Sequence, residues 1–235
     1  MFPLMNLCVD DMSAILHGKT GTECDIYEIF QGLTLDVICR CALALKINCQ
    51  RNPQDEILQA VRNLFKLDLS RIVVLLVCFP GLRYFFRLLF RFAPSHGLLK
   101  FVLGHLQQVI QERRAFRSRD PILVDALQLL LEASNCSRDG SVILSDDEII
   151  WNACIFLLAG YETTSTALAY VCHCLSVHPD IQQKVYEEIE SVMDAQSSSL
   201  TYEDVNKLRY TEMVILEAMR LYPPVPLYVL YISLA

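Results

Sequence analysis

The stretch that decides the fold of this chain is residues 145–179, SDDEIIWNACIFLLAGYETTSTALAYVCHCLSVHP. It opens with a capping box, in which the side chain of Ser145 accepts from the amide of Glu148 while the Glu148 side chain reaches back. It closes where Pro179 disfavours a helical conformation of the preceding residue. Residues 146–178 are therefore predicted to form one long helix, about 48 Å in length at about 1.5 Å per residue. A helix of that length would cross the whole molecule.

The middle of this helix places an acid and several hydroxyl groups in an apolar run. Buried charge is costly unless it is paired, hydrated or used. One predicted helical face, with members spaced i, i+3, i+4, i+7 and i+8, comprises Ile155, Leu158, Ala159, Glu162 and Thr163. Ala159 and Gly160 remove side-chain bulk, so that a flat group could approach the backbone closely.

Glu162 and Thr163 form the polar end of that face. A carboxylate beside a hydroxyl in a dry groove can deliver protons, and a helical threonine can also donate to the carbonyl four residues back. The alternative is a satisfied core helix with one hydrated glutamate. Spacing alone does not decide between these two interpretations.

The rest of the chain has the composition and periodicity of an all-α protein. The whole chain of 235 residues is 53% hydrophobic, with a formal net charge of −7, and an acidic balance argues against nucleic acid as a partner. Further helices are predicted at residues 26–45, 55–66, 97–117, 123–133, 180–194 and 209–221, with a short one capped by Thr201 and Asp204. No convincing strand pattern occurs before the last residues.

The ten cysteines do not indicate a disulfide framework. They include no CxxC pair, and most lie in apolar helical runs, which favours reduced, buried thiols. The run Cys172–His173–Cys174 does not predict a metal site, because neighbouring helical side chains point about 100° apart.

Membrane signals are weak in this sequence. Met1–Asp11 is too short and irregular for an anchor or targeting segment. Residues 69–92 alternate aromatic residues with arginines, which is typical of a surface that dips into lipid headgroups, although interior packing explains the pattern equally well. Residues 149–177 are long enough to span a bilayer, but polar side chains interrupt them, so a core helix is favoured over a polytopic membrane protein.

A second constellation follows the long helix at Glu217 and Arg220, within LEAMRLYPP. A glutamate and an arginine at i and i+3 can pair on a helix surface. The apolar neighbours predict that this pair is partly buried. The motif ExxR is weak on its own.

In this order the motifs resemble those of the cytochrome P450 superfamily. AGYETT at 159–164 resembles its oxygen-activation motif, HPDIQQKVYEEI at 178–189 the helix that follows, and EAMR at 217–220 its ExxR. YEDVNKLRYTEMVILEAMRLYPP is close to the microsomal branch that oxidises drugs, steroids and eicosanoids. The resemblance covers residues 1–227 and implies the helical P450 fold.

The resemblance implies a haem cofactor, with iron held by a cysteine thiolate. Thr163 would hydrogen-bond the dioxygen or its ordered water, and Glu162 would feed protons into that network. Ala159 and Gly160 would lie over the haem face. Substrate would touch Ile155, Leu158, Ala159 and Val225, whereas Glu217 and Arg220 would be structural.

The same resemblance implies particular partners and a location. Electrons would come from an NADPH-dependent flavoprotein reductase, with cytochrome b5 as a further candidate donor. The substrate would be a lipophilic small molecule, and residues 69–92 would lie near a membrane surface. The implied location is the cytosolic face of the endoplasmic reticulum membrane.

The sequence also departs from the family pattern. It contains no FxxGxRxC loop, no WxxxR helix and no cysteine that can be named as the haem ligand. Residues 1–235 are thus expected to form a single partial P450 domain with a divergent tail at 228–235. We expect that the chain alone neither holds haem as the family does nor acts as a monooxygenase. Two readings stay open: a monooxygenase whose other parts lie outside this sequence, or a truncated helical protein that binds partners or membrane.

Overall fold

The computed structural model describes residues 1–43, 45, 47–66, 79, 81, 94–116, 125–133, 144–193 and 200–225. The regular structure of these residues comprises nine helices and no strand. The helices are α1 (Phe2–Gly18), α2 (Ile26–Ala42), α3 (Glu56–Lys66), α4 (Pro94–Phe116), α5 (Ala126–Ala133), α6 (Asp146–Val177), α7 (Pro179–Val192), α8 (Tyr202–Val205) and α9 (Arg209–Leu221). The predicted all-α fold is confirmed. Apart from residues 79 and 81, the predicted membrane-facing segment at 69–92 lies outside the described residues, as does the tail at 228–235.

Helix α6 has the predicted cap and start, and it ends at Val177, one residue before the predicted end. The amide of Glu148 donates to Ser145 Oγ at 3.3 Å, and the amide of Ser145 donates to Glu148 Oε2 at 2.7 Å. The helix runs for 32 residues to Val177, and Pro179 then opens α7. Helix α1 was not predicted, because residues 1–11 lack a clear apolar period.

The core forms around α6, which makes its most extensive contact with α2. Helices α3 and α4 pack against each other, and α4 and α5 also touch α6. The main buried cluster draws on all five of these helices and includes Leu35, Cys39, Val61, Val102, Leu106, Leu127, Ile149, Ala153, Leu157 and Tyr161. The buried residues of α6 recur every three or four positions, so one face of this helix is the centre of the core.

Gly160 allows α2 and α6 to approach closely. A Cβ atom added at Gly160 would lie 2.0 Å from Ile38 Cδ1 and 3.2 Å from Ile38 Cγ1. Beside this contact, Thr34 Oγ1 donates to the carbonyl oxygen of Tyr161 at 3.1 Å, and Ser165 Oγ donates to the same oxygen at 2.9 Å. The two helices are therefore joined by packing and by a hydrogen bond at one point.

Asp36 fixes the segment after α2 to that helix. Its side chain is fully buried and accepts from the amides of Cys49 at 2.7 Å and Gln50 at 3.3 Å, and from Gln50 Nε2 at 3.2 Å. Burial raises the pKa of Asp36, although the three hydrogen bonds oppose that effect.

Two arginines near the end of α4 form ion pairs with acidic residues at the starts of other helices. Arg113 Nη2 lies 2.9 Å from Asp125 Oδ2, and Arg114 Nη2 lies 2.6 Å from Asp146 Oδ1. These pairs connect α4 to the starts of α5 and α6.

The described cysteines agree with the predicted state of the thiols. All eight are free, and Cys8, Cys39, Cys41, Cys49 and Cys154 are buried. Burial raises the pKa of the Cys154 thiol, which keeps it protonated and unreactive. Within the described ranges, no helix is both long enough and apolar enough to cross a bilayer.

Candidate active site on helix α6

The acid in the middle of α6 pairs with a residue from α2. The hydroxyl of Tyr27 donates a short hydrogen bond to Glu162 Oε1 across the α2–α6 contact. Both side chains are partly buried. The cost of placing a carboxylate in this helix is therefore offset by a partner that lies far away in the sequence.

Tyr27 is itself held at the start of α2. Its backbone amide donates to Oδ1 of the N-cap residue Asp25 at 2.9 Å. The pKa of Tyr27 is raised by burial, and further by its hydrogen bond to Glu162 and the charge of that carboxylate. Its phenol therefore stays protonated and remains a donor at neutral pH.

The second oxygen of Glu162, Oε2, is buried and has no hydrogen-bond partner among the described residues. A carboxylate oxygen has lone pairs for two hydrogen bonds. Glu162 thus has one oxygen occupied by Tyr27 and one that is free to bind a proton or a water molecule.

Further polar side chains surround this pair. Arg62 of α3 donates from Nε to Gln31 Oε1 at 3.0 Å and from Nη2 to the carbonyl of Glu28 at 3.1 Å. Tyr161 is fully buried, and its pKa is raised by burial, an effect that the nearby Arg62 guanidinium opposes. We use the term Glu162 cluster for the set Tyr27, Gln31, Arg62, Tyr161 and Glu162.

Thr163 is engaged by its own helix. Its hydroxyl donates to the carbonyl oxygen of Ala159 at 2.5 Å, which confirms the expected bond to the carbonyl four residues back. Glu162 and Thr163 therefore have different partners: the acid is bonded to α2, and the alcohol is bonded to the backbone of α6. The Thr163 hydroxyl would have to leave the Ala159 carbonyl in order to donate to Glu162, whose Oε2 has no partner among the described residues.

The predicted substrate-contacting residues separate into two groups. Ile155 is 60% exposed and Phe156 is 51% exposed, and Ala159 shares their exposed side of α6. Leu158 instead packs against the core cluster. Val225, which follows α9, is 49% exposed. Their contact with a substrate stays a prediction.

The two small residues Ala159 and Gly160 lie on different sides of α6. Ala159 lies on the exposed side of α6, whereas the missing side chain of Gly160 leaves space that Ile38 of α2 fills. The predicted gap beside the pair is thus open at Ala159 only. The structure gives Gly160 a packing contact, and its predicted contact with haem stays a prediction.

Glu217 and Arg220 form the predicted pair on α9. Arg220 donates from Nε to Glu217 Oε2 and from Nη2 to Glu217 Oε1, both at 2.7 Å, and this hydrogen bonding lowers the pKa of Glu217. The predicted partial burial is wrong, since the Arg220 side chain is 67% exposed and the Glu217 side chain is 55% exposed. The apolar neighbours Leu216 and Leu221 are exposed as well, so an apolar sequence context does not bury the pair here.

A residue outside α9 holds the start of that helix. The N-cap residue Leu208 gives no side-chain cap. Instead, Glu188 of α7 accepts from the amides of Tyr210 at 2.7 Å and Thr211 at 2.8 Å, and from Thr211 Oγ1 at 2.7 Å. No sequence signal pointed to this cap, because it comes from another helix.

The exposed side of α6 suits one face of a flat, largely apolar cofactor. Ile155, Phe156 and Ala159 offer apolar surface there, and Thr163 adds one hydroxyl. The described residues contain no group of three or more His, Cys, Asp or Glu side chains placed to hold a metal ion. The exposed apolar side chains and the hydroxyl of Thr163 fit one face of a haem.

Comparisons with known proteins identify the family of this chain. The family model described as Cytochrome P450 matches residues 1–230. Cytochrome P450 3A6 of Oryctolagus cuniculus is 33% identical over 209 residues, which is 88% of this chain and 41% of that protein. Cytochrome P450 3A9 of Rattus norvegicus is 31% identical over 227 residues, or 95% of this chain and 44% of that protein. The chain spans less than half the length of the curated relatives it matches.

Proposed function

Because the chain belongs to the cytochrome P450 family, we propose that it supplies one side of the active site of a haem-dependent monooxygenase. The reaction inserts one oxygen atom of dioxygen into a lipophilic substrate with electrons derived from NADPH. The observation that carries this proposal is the arrangement of α6, where Ala159 and Thr163 lie on an exposed apolar side and Glu162 lies beside them.

Haem, when bound, supplies the electron transfer and the dioxygen activation that amino-acid side chains cannot provide. In our proposal the methyl group of Ala159 and the hydroxyl of Thr163 contact the cofactor. Gly160 contributes by allowing α6 to lie against Ile38, which fixes the position of both contacting residues.

Thr163 and Glu162 handle protons in this proposal. The hydroxyl of Thr163 exchanges its bond to the Ala159 carbonyl for a bond into the site, and it holds a proton there at Oγ1. Glu162 is the acid that supplies protons, because Oε2 is free of other partners among the described residues. A positioned acid and alcohol are the usual parts of such a relay.

Glu217 and Arg220 act on the structure in our proposal. Their two-bond contact fixes one turn of α9, and Glu188 fixes the start of the same helix. The exposed pair offers charged surface on which another part of a P450 domain can pack. Its effect on catalysis would thus be indirect.

The substrate and partners follow from the family. We propose a lipophilic substrate that contacts Ile155, Leu158, Ala159 and Val225. We also propose an NADPH-dependent flavoprotein reductase as the electron donor, with cytochrome b5 as a second donor, on the cytosolic face of the endoplasmic reticulum membrane. The net charge of −7 supports a protein that does not bind nucleic acid.

The experiment compares alanine substitutions of two threonines, Thr163 and Thr164. It uses a haem-loaded form of the protein that includes the cysteine loop of the family. Product formed per NADPH is measured with a steroid probe in the presence of reductase. Thr163→Ala should lower this ratio and raise hydrogen peroxide, whereas Thr164→Ala, at the exposed neighbouring position, should leave both unchanged. Equal behaviour of the two variants would contradict the role of Thr163. Failure of the wild-type protein to form any product would contradict the proposed activity.

A further inference from the structure

The hydroxyl of Tyr27 has a position that two independent contacts fix. Its backbone amide bonds to the N-cap side chain of Asp25 at 2.9 Å, and its hydroxyl bonds to Glu162, which lies 135 residues away in the chain. Tyr27 is partly buried, so its ring has little freedom to move away. The phenol is therefore positioned by the start of α2 and by its contact with α6.

This contact makes the two oxygens of Glu162 unequal. Oε1 accepts the hydrogen bond from the phenol and is therefore a poor site for a proton of its own. Oε2 is buried and without a partner among the described residues. A proton carried by Glu162 consequently sits on Oε2.

We propose that Tyr27 is a positioning residue for the monooxygenase reaction: it holds Oε1 of Glu162, so that Oε2 takes up and releases the proton that is delivered to the site. This inference rests on the proposed function of Glu162. When Oε2 releases its proton, Glu162 becomes a carboxylate with one negative charge, and the hydrogen bond from Tyr27 stabilises that charge. Tyr27 keeps its own proton throughout, and no electrons move.

The surroundings support a fixed phenol and a proton that is confined to one oxygen. The raised pKa of Tyr27, caused first by burial and then by the bond to Glu162, preserves the donor. The other titratable and charged members of the Glu162 cluster are Arg62 from α3 and Tyr161 from α6. Arg62 is held by Gln31 and by the carbonyl of Glu28, and Tyr161 stays protonated because burial raises its pKa.

The first test measures whether the two side chains are coupled in the folded protein. Tyr27→Phe, Glu162→Gln and the double variant form a double-mutant cycle, which is read from urea unfolding. The bond should couple the two sites by roughly tenfold or more in the folded-to-unfolded ratio, since hydrogen bonds to charged groups are strong. The matched control is the exposed pair Tyr186–Glu190, whose hydrogen bond is 3.1 Å long, and a cycle there should show no coupling. Additive effects at Tyr27 and Glu162 would overturn the proposal.

The second test asks whether the contact matters for proton delivery in the haem-loaded enzyme. Tyr27→Phe should lower product per NADPH severalfold and increase the difference between rates in H2O and D2O. In the Glu162→Gln background the same substitution should have no further effect on proton delivery, because an amide side chain cannot take up and release the proton. Tyr186→Phe should leave both measurements unchanged.

The outcomes separate the two proposals. If Thr163→Ala uncouples the reaction and Tyr27→Phe does not, the role of Tyr27 is overturned while the proposed function stands. If neither substitution changes the product formed per NADPH, the proposed function is contradicted, and the role of Tyr27 with it. A Tyr27→Phe effect of equal size with and without Glu162 would show a general structural role, which would also overturn the inference.

Discussion

Ile38 of α2 occupies the space that a side chain on Gly160 of α6 would need, with Cδ1 only 2.0 Å from the position of an added Cβ. The contact lies beside the residues of the candidate site. Glycine at this position therefore sets how closely the two central helices can pack.

Gly160→Ala is expected to lower stability relative to a matched substitution elsewhere. Alanine is favoured over glycine in helices by about 0.8–1.0 kcal/mol, but an inserted group in a packed core costs about 1–3 kcal/mol. Gly104 lies in α4 with nothing within 4 Å of an added Cβ, so Gly104→Ala should stabilise the protein by up to about 1 kcal/mol. Urea unfolding followed by circular dichroism compares the two.

A second substitution tests the cause of that effect. Ile38→Val removes Cδ1, the atom nearest to the added Cβ. Combined with Gly160→Ala, it should recover part of the lost stability, because the two changes compensate in volume. If the losses of the two single substitutions simply add, Ile38 is not the source of the strain.

Asp36→Asn is expected to destabilise the protein by about 1–3 kcal/mol, because a buried donor loses its acceptor. The asparagine side chain keeps one oxygen, whereas Asp36 now accepts from three donors of Cys49 and Gln50. Thermal unfolding gives the measurement. Asp10→Asn, at an exposed position, serves as the control and should change stability by no more than about 0.5 kcal/mol. Equal stability of the two variants would contradict the role assigned to Asp36.

Glu188→Gln is expected to loosen the start of α9. The carboxylate accepts three hydrogen bonds from Tyr210 and Thr211, and an amide side chain can supply only one acceptor oxygen. Amide hydrogen exchange at these two residues should become faster, while exchange in the middle of α6 should not change. Glu187→Gln, at the neighbouring exposed position, is the control, and an equal effect there would refute the cap.

Acid should weaken the short helix α8. The pKa of Asp204 is lowered from 3.8 to about 2, mainly by the hydrogen bond from Lys207 and then by those from Thr201. A lowered folded-state pKa means that the stabilising contribution is complete above pH 3.8 and is lost as the pH falls toward about 2. Asp204→Asn should remove this part of the acid dependence, as measured by thermal unfolding over a pH series. If Asp204→Asn left the dependence of thermal stability on pH unchanged, Asp204 would not be the cause of that dependence.

The helix bounds could be predicted where local chemistry fixes them. Ser145 with Glu148 marks the start of α6, and Pro179 marks its end, because caps and prolines act within a few residues. Thr201 with Asp204 marks α8 for the same reason. The unpredicted α1 has Met1 as its N-cap and no side-chain cap bond. Its boundaries therefore had no local signal.

The site could be predicted only in part. The sequence identified Glu162 and Thr163 as the polar centre of α6, and the back-bonded hydroxyl of Thr163 followed from helix geometry. The partner of Glu162 could not be predicted, because Tyr27 reaches it only through the packing of α2 on α6. The burial of Glu217 was overestimated, since apolar neighbours in sequence do not ensure a buried environment in space.

The meeting of α2 and α6 also has an evolutionary consequence. Thr34 and Tyr161 are joined by a hydrogen bond although they are 127 residues apart, and Ile38 and Gly160 fit together beside them. Mutations in these two stretches cannot be accepted independently, because a larger residue at 160 requires a shorter one at 38. Across related sequences, positions 38 and 160 should therefore covary in size, with their combined volume kept nearly constant.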